Sequence, residues 1–357
     1  MSNKRVSAIR TKLMELNLDG LLIASAVNRR YVSGFTGSAG MVLLTASGAW
    51  LVTDFRYGSQ AAQQAGGFTV IEHGIRAMDT IVELTSAAGI KRLGFEQDHV
   101  VFGEYASWQK SLTGLELVPT SSLVEQIRMF KDEDELAIMR EAAVLADETF
   151  THILRYIKPG VRERDIALEM EMFMRSKGAT SSSFETIVAS GERSALPHGV
   201  ASDRIIGKDE FVKLDFGAYM NGYCSDLTRT VVVGTPTERH REIYDIVLEA
   251  QLTTLNGIKP GMTGREADAL ARDVITRYGY GDRFGHGTGH GLGMEIHEAP
   301  RLSKTGELVL QPGMTVTVEP GIYLPGFGGV RIEDDIVITE SGVSLLTAST
   351  KELHQLS

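Results

Sequence analysis

The sequence predicts an α+β protein in two domains, a small α/β domain followed by a larger domain with internal two-fold repetition. Three observations predict it. The chain has 357 residues, more than a single domain usually holds. Residues 1–120 alternate helical patterns with short apolar runs. The remainder then contains one order of elements twice.

In the first domain, MSNKRVSAIRTKLMELNLDG reads as an amphipathic helix without the apolar core and cleavage site of a signal peptide. Leu21-Leu22-Ile23, Met41-Val42-Leu43-Leu44, Trp50-Leu51-Val52 and Thr69-Val70-Ile71 read as buried strands. The stretch PTSSLVEQIRMFKDED turns polar and charged, which puts the boundary there and the domains at 1–125 and 132–357.

In the second domain a helical pattern from Asp134 to Tyr156 stops at Ile157-Lys158-Pro159-Gly160. Another from Glu238 to Asn256 stops at Ile258-Lys259-Pro260-Gly261. The offset is 258 − 157 = 101 residues. Each stop precedes a second helical run, closed by Gly178 or Gly279, and then a Gly/His segment and strands. The repeated order predicts a duplicated, pseudo-two-fold domain.

Composition removes several function classes. Net charge is -10 with no basic stripe, which speaks against nucleic acid as a partner. No window reaches the length and apolarity of a membrane span. The single cysteine rules out an intramolecular disulfide and a Cys-based zinc finger, and points to a reducing cytoplasm. The 43% hydrophobic content and 38 glycines fit a globular chain rich in tight turns.

The chemistry concentrates in five short contexts, KLDFGAY, YCSDLTRT, GTGHGLG, TVEPGIY and VRIEDD, carrying Asp215, Asp226, His290, Glu319 and Glu333. Four carboxylates with one imidazole suit one or two divalent cations. Asn221-Gly222 is a hairpin signal; it sets Asp215 opposite Thr228 and leaves Asp226 on the face of Asp215. The neighbours Val212, Leu214 and Phe216 are apolar, and an unpaired aspartate buried among them is costly. FGHGTGHGLGMEIHE gathers His286, His290 and His297, three of nine histidines, with glycines that let the backbone approach a ligand. Glu319 ends an apolar run before Pro320-Gly321. Arg331 and Glu333 share a strand face, which on its own reads first as a surface Arg–Glu pair. Asp334 and Asp335 read as structural or surface charges. Asp215-Phe216-Gly217 spells DFG without the other kinase motifs, and neither GxSxG nor HExxH is present.

Together these motifs resemble the pita-bread metallopeptidases, in particular the proline-directed branch of aminopeptidase P and Xaa-Pro dipeptidase (prolidase). NRRYVSGFTGSAG, LVTDFRY and LGFE resemble the creatinase-type N-terminal domain, and Arg128, Lys131 and Glu135-Leu136 resemble that family's entry to the catalytic domain. The resemblance implies a pita-bread catalytic domain that hydrolyses the Xaa-Pro bond of peptides with proline at the second position. It implies two divalent metal ions held by Asp215, Asp226, His290, Glu319 and Glu333, with Asp226 and Glu333 shared between them. The oxygen-rich ligand set favours manganese, and cobalt, iron or zinc would also fit. Glu319 would carry the proton, His198 would stand on the substrate side, and His297 would steady the tetrahedral intermediate. His286 and Arg331 would line the downstream side of the scissile bond. A homodimer is implied, one subunit helping to wall the other's site. Creatinase, methionine aminopeptidases and a silent binding scaffold are the alternatives; the filled ligand set argues against the first and last.

Overall fold

A computed structural model describes residues 2–357, with side chains from residue 4 onward. The chain divides into a unit ending at Arg128 and a unit from Met129 to Ser357. In the first unit the four apolar runs form strands Gly20–Ile23, Met41–Thr45, Ala49–Thr53 and Thr69–Glu72. Two further strands, Arg92–Glu96 and Glu116–Thr120, complete a mixed six-stranded sheet, with Gly20–Ile23 lying between Met41–Thr45 and Arg92–Glu96. Both evade the apolar-run pattern for local reasons. Gly94 interrupts the first because a Cβ there would meet Leu18 Cδ1 at 2.9 Å. Pro119 sits in the second, an edge strand, where a missing N–H is tolerated. The amphipathic N-terminal helix, Ser2–Glu15, buries Val6, Ile9 and Leu13.

The polar stretch around the boundary is not a linker. It forms the edge strand and a helix, Leu123–Arg128, whose last residue is buried and donates to Asn28 Oδ1 at 2.7 Å. Its polarity reflects turn residues and a partnered charge rather than flexibility.

The second unit is built twice. Helices Glu133–Ile153 and Glu163–Ser176 belong to the first half, Glu238–Gly257 and Gly264–Arg277 to the second. Each Ile-Lys-Pro-Gly corner puts its glycine at positive φ, 93° at Gly160 and 92° at Gly261. Gly160 N donates to Ile206 O at 2.9 Å and Gly261 N to Leu310 O at 2.8 Å. The bridges Arg162–Ile205 and Thr263–Val309 correspond in the two halves. Each half then supplies three antiparallel strands: Ile187–Ser190, Glu210–Phe216 and Leu227–Val233 in the first, Gly289–Gly291, Thr315–Val318 and Asp334–Ile338 in the second.

These strands are buried on both faces. Val212, Leu214 and Phe216 join the core under Glu133–Ile153 and Glu163–Ser176, while Val316, Val318, Ile336 and Ile338 join the core of the other half. The opposite faces, carrying Asp215 and Thr228 or Thr317 and Asp335, turn toward each other, and Glu333 N donates to Thr228 O across the gap at 3.1 Å. The Asn221-Gly222 turn has both residues at positive φ, 50° and 94°, and pairs Met220 with Tyr223 and Asp215 with Thr228.

Arg229 joins the halves. It is buried and donates to the carbonyls of Thr228, Glu333, Ser349 and Thr350 and to Asp334 Oδ1 at 2.8 Å. Asp334 also accepts from Gln251 Nε2 at 2.6 Å and pairs with Lys351 Nζ at 2.9 Å. Removing one partner of a buried pair leaves the other uncompensated. Arg229→Ala is therefore expected to lower unfolding stability by about 3–5 kcal/mol. Urea denaturation checks this, and a loss below about 1 kcal/mol would show that Asp334 is held by its other partners.

Candidate active site

A cavity of about 460 Å³ opens between the two strand pairs of the second unit. All nine residues singled out from the sequence line it: His198, Asp215, Asp226, His286, His290, His297, Glu319, Arg331 and Glu333. Asp215 and Asp226 are brought there by the first hairpin, Glu319 and Glu333 by the flanks of Thr315–Val318 and Asp334–Ile338, and His290 by the middle of Gly289–Gly291.

Asp215, Asp226, His290, Arg331 and Glu333 are all buried. One ligand atom each from Asp226, His290 and Glu333 lies within 4.8 Å of the others. His290 Nε2 lies 3.6 Å from Asp226 Oδ2 and 3.4 Å from Glu319 Oε1. His290 Nδ1 lies 3.0 Å from its neighbour's carbonyl, Gly291 O, which sets Nδ1 as the protonated nitrogen and leaves the Nε2 lone pair toward the carboxylates. Burial holds this imidazole neutral, pulling its pKa down to about 3.

The carboxylates are under the opposite pressure. Burial, reinforced by Glu333 and Asp215, pushes Asp226 far above the usual carboxylate range. Burial and the charges of Glu319 and Asp215 do the same to Glu333. Glu319 is pushed up to about 7 by burial, against the pull of Arg331. Thr228 Oγ1 donates to Glu333 Oε2 at 2.5 Å, and Thr317 Oγ1 to Glu319 Oε1 at 3.1 Å. Asp226 Oδ1 and Glu333 Oε1 are buried with no hydrogen-bond partner. Buried polar atoms without partners call for an explanation. Carboxylate oxygens beside a neutral imidazole lone pair are a donor set for divalent cations, so these residues fit a metal.

Arg331 and Glu333 are not a surface pair. Both are buried, and the chain leaves strand geometry at Ile332 and Glu333 between Gly328–Arg331 and Asp334–Ile338. Arg331 Nη2 donates to Asp215 Oδ2 instead. Its Nη1 donates to Pro197 O at 3.0 Å and to Tyr323 OH at 2.9 Å, and its Nε to Thr228 Oγ1 at 3.1 Å. Four of the guanidinium's five N–H groups are thus engaged. His286 Nε2 meets the same Tyr323 hydroxyl at 2.7 Å, and burial with the Arg331 charge takes the His286 pKa down to about 3. His297 packs its ring edge-on to His290 with centroids 4.4 Å apart. His198 lines the same cavity and is exposed.

The glycines around His290 serve neighbouring backbone rather than a ligand. A Cβ on Gly289 would meet Thr317 O at 1.9 Å, and one on Gly291 would meet Ala299 O at 2.2 Å. Sequence reasoning missed Tyr323, Arg301 and Asp335. Tyr323 sits inside TVEPGIY and could have been flagged as a polar residue in an apolar strand. Arg301, exposed on the cavity wall, pairs across the sheet with His290, a register that no local pattern encodes. Asp335 is fully interior rather than a surface charge and accepts from Asp226 N at 2.8 Å.

Comparison with known proteins agrees with this geometry. The sequence profile of Metallopeptidase family M24 matches residues 137–340, and that of the Creatinase/Prolidase N-terminal domain matches residues 5–130. An uncharacterized peptidase of Bacillus subtilis, YqhT, is 54% identical over 98% of this chain and 99% of its own. The solved structure of Xaa-Pro dipeptidase from Bacillus anthracis is 52% identical, with a TM-score of 0.98 and full coverage of both chains (100% and 100%). That of X-Pro aminopeptidase from Thermotoga maritima is 37% identical, with a TM-score of 0.92 over 97% of this chain and 100% of that one. With both profiles matched in order and a buried carboxylate–imidazole cluster at its centre, the chain belongs to Metallopeptidase family M24, preceded by a Creatinase/Prolidase N-terminal domain.

Proposed function

We propose that this metallopeptidase hydrolyses the bond before proline in Xaa-Pro dipeptides and short peptides, using two divalent cations held by Asp215, Asp226, His290, Glu319 and Glu333. The observation that carries this reading is the pair of partnerless buried oxygens, Asp226 Oδ1 and Glu333 Oε1, in a cavity walled by the other site residues. Relatives bearing the names Xaa-Pro dipeptidase and X-Pro aminopeptidase support the substrate class. The oxygen-rich donor set favours manganese, with cobalt, iron or zinc as alternatives. The chain's single cysteine suits a reducing cytoplasm, and among the described residues no helix is long and apolar enough to cross a membrane. A homodimer is part of the proposal.

When bound, divalent cations at this site supply Lewis-acid polarisation of an amide carbonyl and a lowered pKa for water. The protein's own groups do the rest. Glu319, its carboxyl held near neutrality by burial, accepts a proton from the attacking water and returns one to the proline nitrogen as the bond breaks. His297 donates to the carbonyl oxygen as charge develops there. His198 contacts the substrate from the cavity wall. His286 and Tyr323 close the downstream end. Arg331, with one N–H left for the cavity, acts chiefly on Asp215 and the loop before His198. Arg301, exposed and lining the cavity, would be the arginine that meets a free carboxylate on the departing proline.

Two outcomes follow. Removing metal with a chelator should abolish Ala-Pro hydrolysis, and manganese at about 100 times its Kd should restore it while adding about 2.7 kcal/mol of stability. Calorimetric melts with and without manganese test this, and an unshifted Tm would mean that the cluster is not a metal site. Arg301→Ala should weaken hydrolysis of Ala-Pro by about tenfold or more while leaving an amide-capped Xaa-Pro tripeptide nearly unaffected, since a charged hydrogen bond contributes about 1.5–3 kcal/mol. Arg331→Ala should damage both substrates alike. The reverse pattern would return the carboxylate to Arg331.

A further inference from the structure

Lys213 takes no part in the chemistry above, yet its side chain is wholly buried beside the cavity. It precedes Asp215 by two on the strand Glu210–Phe216 and so shares its face. Among the described residues it makes no ion pair. Its Nζ donates instead to three backbone carbonyls, Ser194 O at 3.2 Å, Leu196 O at 2.6 Å and Pro197 O at 3.2 Å. An ammonium has three N–H donors, so these carbonyls saturate it. Its Nζ also lies over the Tyr323 ring, with the centroid 5.0 Å away.

The three carbonyls belong to the segment that ends at His198. The margins of that segment are held by another group, Glu163, which accepts from Ser190 N at 2.7 Å and Ser202 N at 3.1 Å. Between those margins the backbone makes a 3-10 turn over Gly191–Ala195, Leu196 N donates to Arg193 O at 2.9 Å, and Arg193 Nη2 donates to Val200 O at 2.8 Å. These are local restraints, and Lys213 is the group that takes three of the segment's carbonyls at once. Ser194 Oγ accepts from Gly329 N at 2.8 Å, and Arg331 Nη1 shares the Pro197 carbonyl. A buried cation without a direct ion pair is costly even with the charges of Asp215 and Glu319 in its neighbourhood, and an apolar side chain would fill a strand position at lower cost. Strand packing therefore does not account for a lysine here, whereas three converging carbonyls do.

We propose that Lys213 is a positioning residue, whose ammonium fixes the backbone of residues 194–197 so that His198 faces the substrate, and whose contact with Tyr323 ties that setting to the downstream wall. The inference rests on the reading of this cavity as a Xaa-Pro peptidase site with His198 on its substrate side. It predicts that Lys213 and His198 act as one unit, although their side chains do different things.

A double-mutant cycle on the full-length, manganese-loaded protein tests it, with Ala-Pro as substrate and wild type, Lys213→Met, His198→Ala and the double variant compared. Lys213→Met is expected to lower kcat/KM by about 10²-fold, the effect of a misplaced group, while manganese stoichiometry stays at the wild-type value. In the His198→Ala background the same change is expected to cost little more, since a misplaced histidine and a missing one are equivalent. A loss that persists undiminished in that background, or a Lys213→Met protein as fast as wild type, overturns the proposal. Lys213→Gln, which keeps two N–H donors, runs the same cycle if the methionine variant does not fold. If the wild-type protein does not turn over Ala-Pro, the substrate assignment fails rather than the pin. Hydrogen exchange at the amides of Gly199 and Val200 then reads the pin directly: faster exchange in the variant supports it, and unchanged exchange overturns it.

Discussion

The structure depends on the crowding of negative charge at its centre. Asp215, Asp226, Glu333 and Asp335 are buried, Glu319 nearly so, and Arg331 stands among them as a cation paired with Asp215. Desolvation and mutual repulsion both favour the protonated acids, which is why Asp226, Glu333 and Asp335 all titrate far above the usual range. Such a cluster persists only where neutral donors and nearby cations share the strain. Here the donors are threonine hydroxyls, the Asp226 amide and one guanidinium, and they leave three carboxylate oxygens unmet, Asp226 Oδ1, Glu333 Oε1 and Asp335 Oδ1. The first two, on the proposed ligands, are where the proposed cations belong.

The duplication makes this arrangement possible. Each half buries one face of its strand pair under its own helices, so the other faces can meet without either half losing its core. The first half contributes Asp215 and Asp226, the second Glu319 and Glu333, and neither pair alone would gather enough oxygen to hold a cation tightly. Under the proposed function His198 comes from the first half, while His286, His290, His297 and Arg301 come from the second, so both halves supply metal ligands and both supply substrate contacts. Arg229 is the cost of bringing the faces together, a buried arginine spending all its donors on the seam.

Much of this was legible in the sequence because it rests on local rules. The Asn221-Gly222 turn fixed the register that sets Asp215 against Thr228, and the repeated Ile-Lys-Pro-Gly corner marked the two halves. The strand at Arg92–Glu96 was hidden by a glycine needed for packing, and the helix at Leu123–Arg128 by the polarity of its surroundings. The partners of charged residues were the least visible. Arg331 pairs with Asp215 across a separation of 116 residues, and Lys213 with carbonyls on another segment. Nothing in the spacing VRIED distinguishes an arginine facing Glu333 from one turned toward a different strand. Asp334 and Asp335 show the same limit: adjacent acids that read equally as structural or surface charges are both interior, one turned to Arg229 and the other to the amide of Asp226.

The central claim is that the buried carboxylates exist to hold divalent cations between the two halves. Anomalous diffraction from crystals of the manganese-loaded protein, recorded at the manganese absorption edge, tests it most directly. The account predicts two peaks in the cavity, both within coordination distance of Asp226 and Glu333, one also bound by Asp215 and the other by His290 and Glu319. Saturating manganese that leaves the cavity without a peak, or that places its peaks away from Asp226 and Glu333, would contradict it.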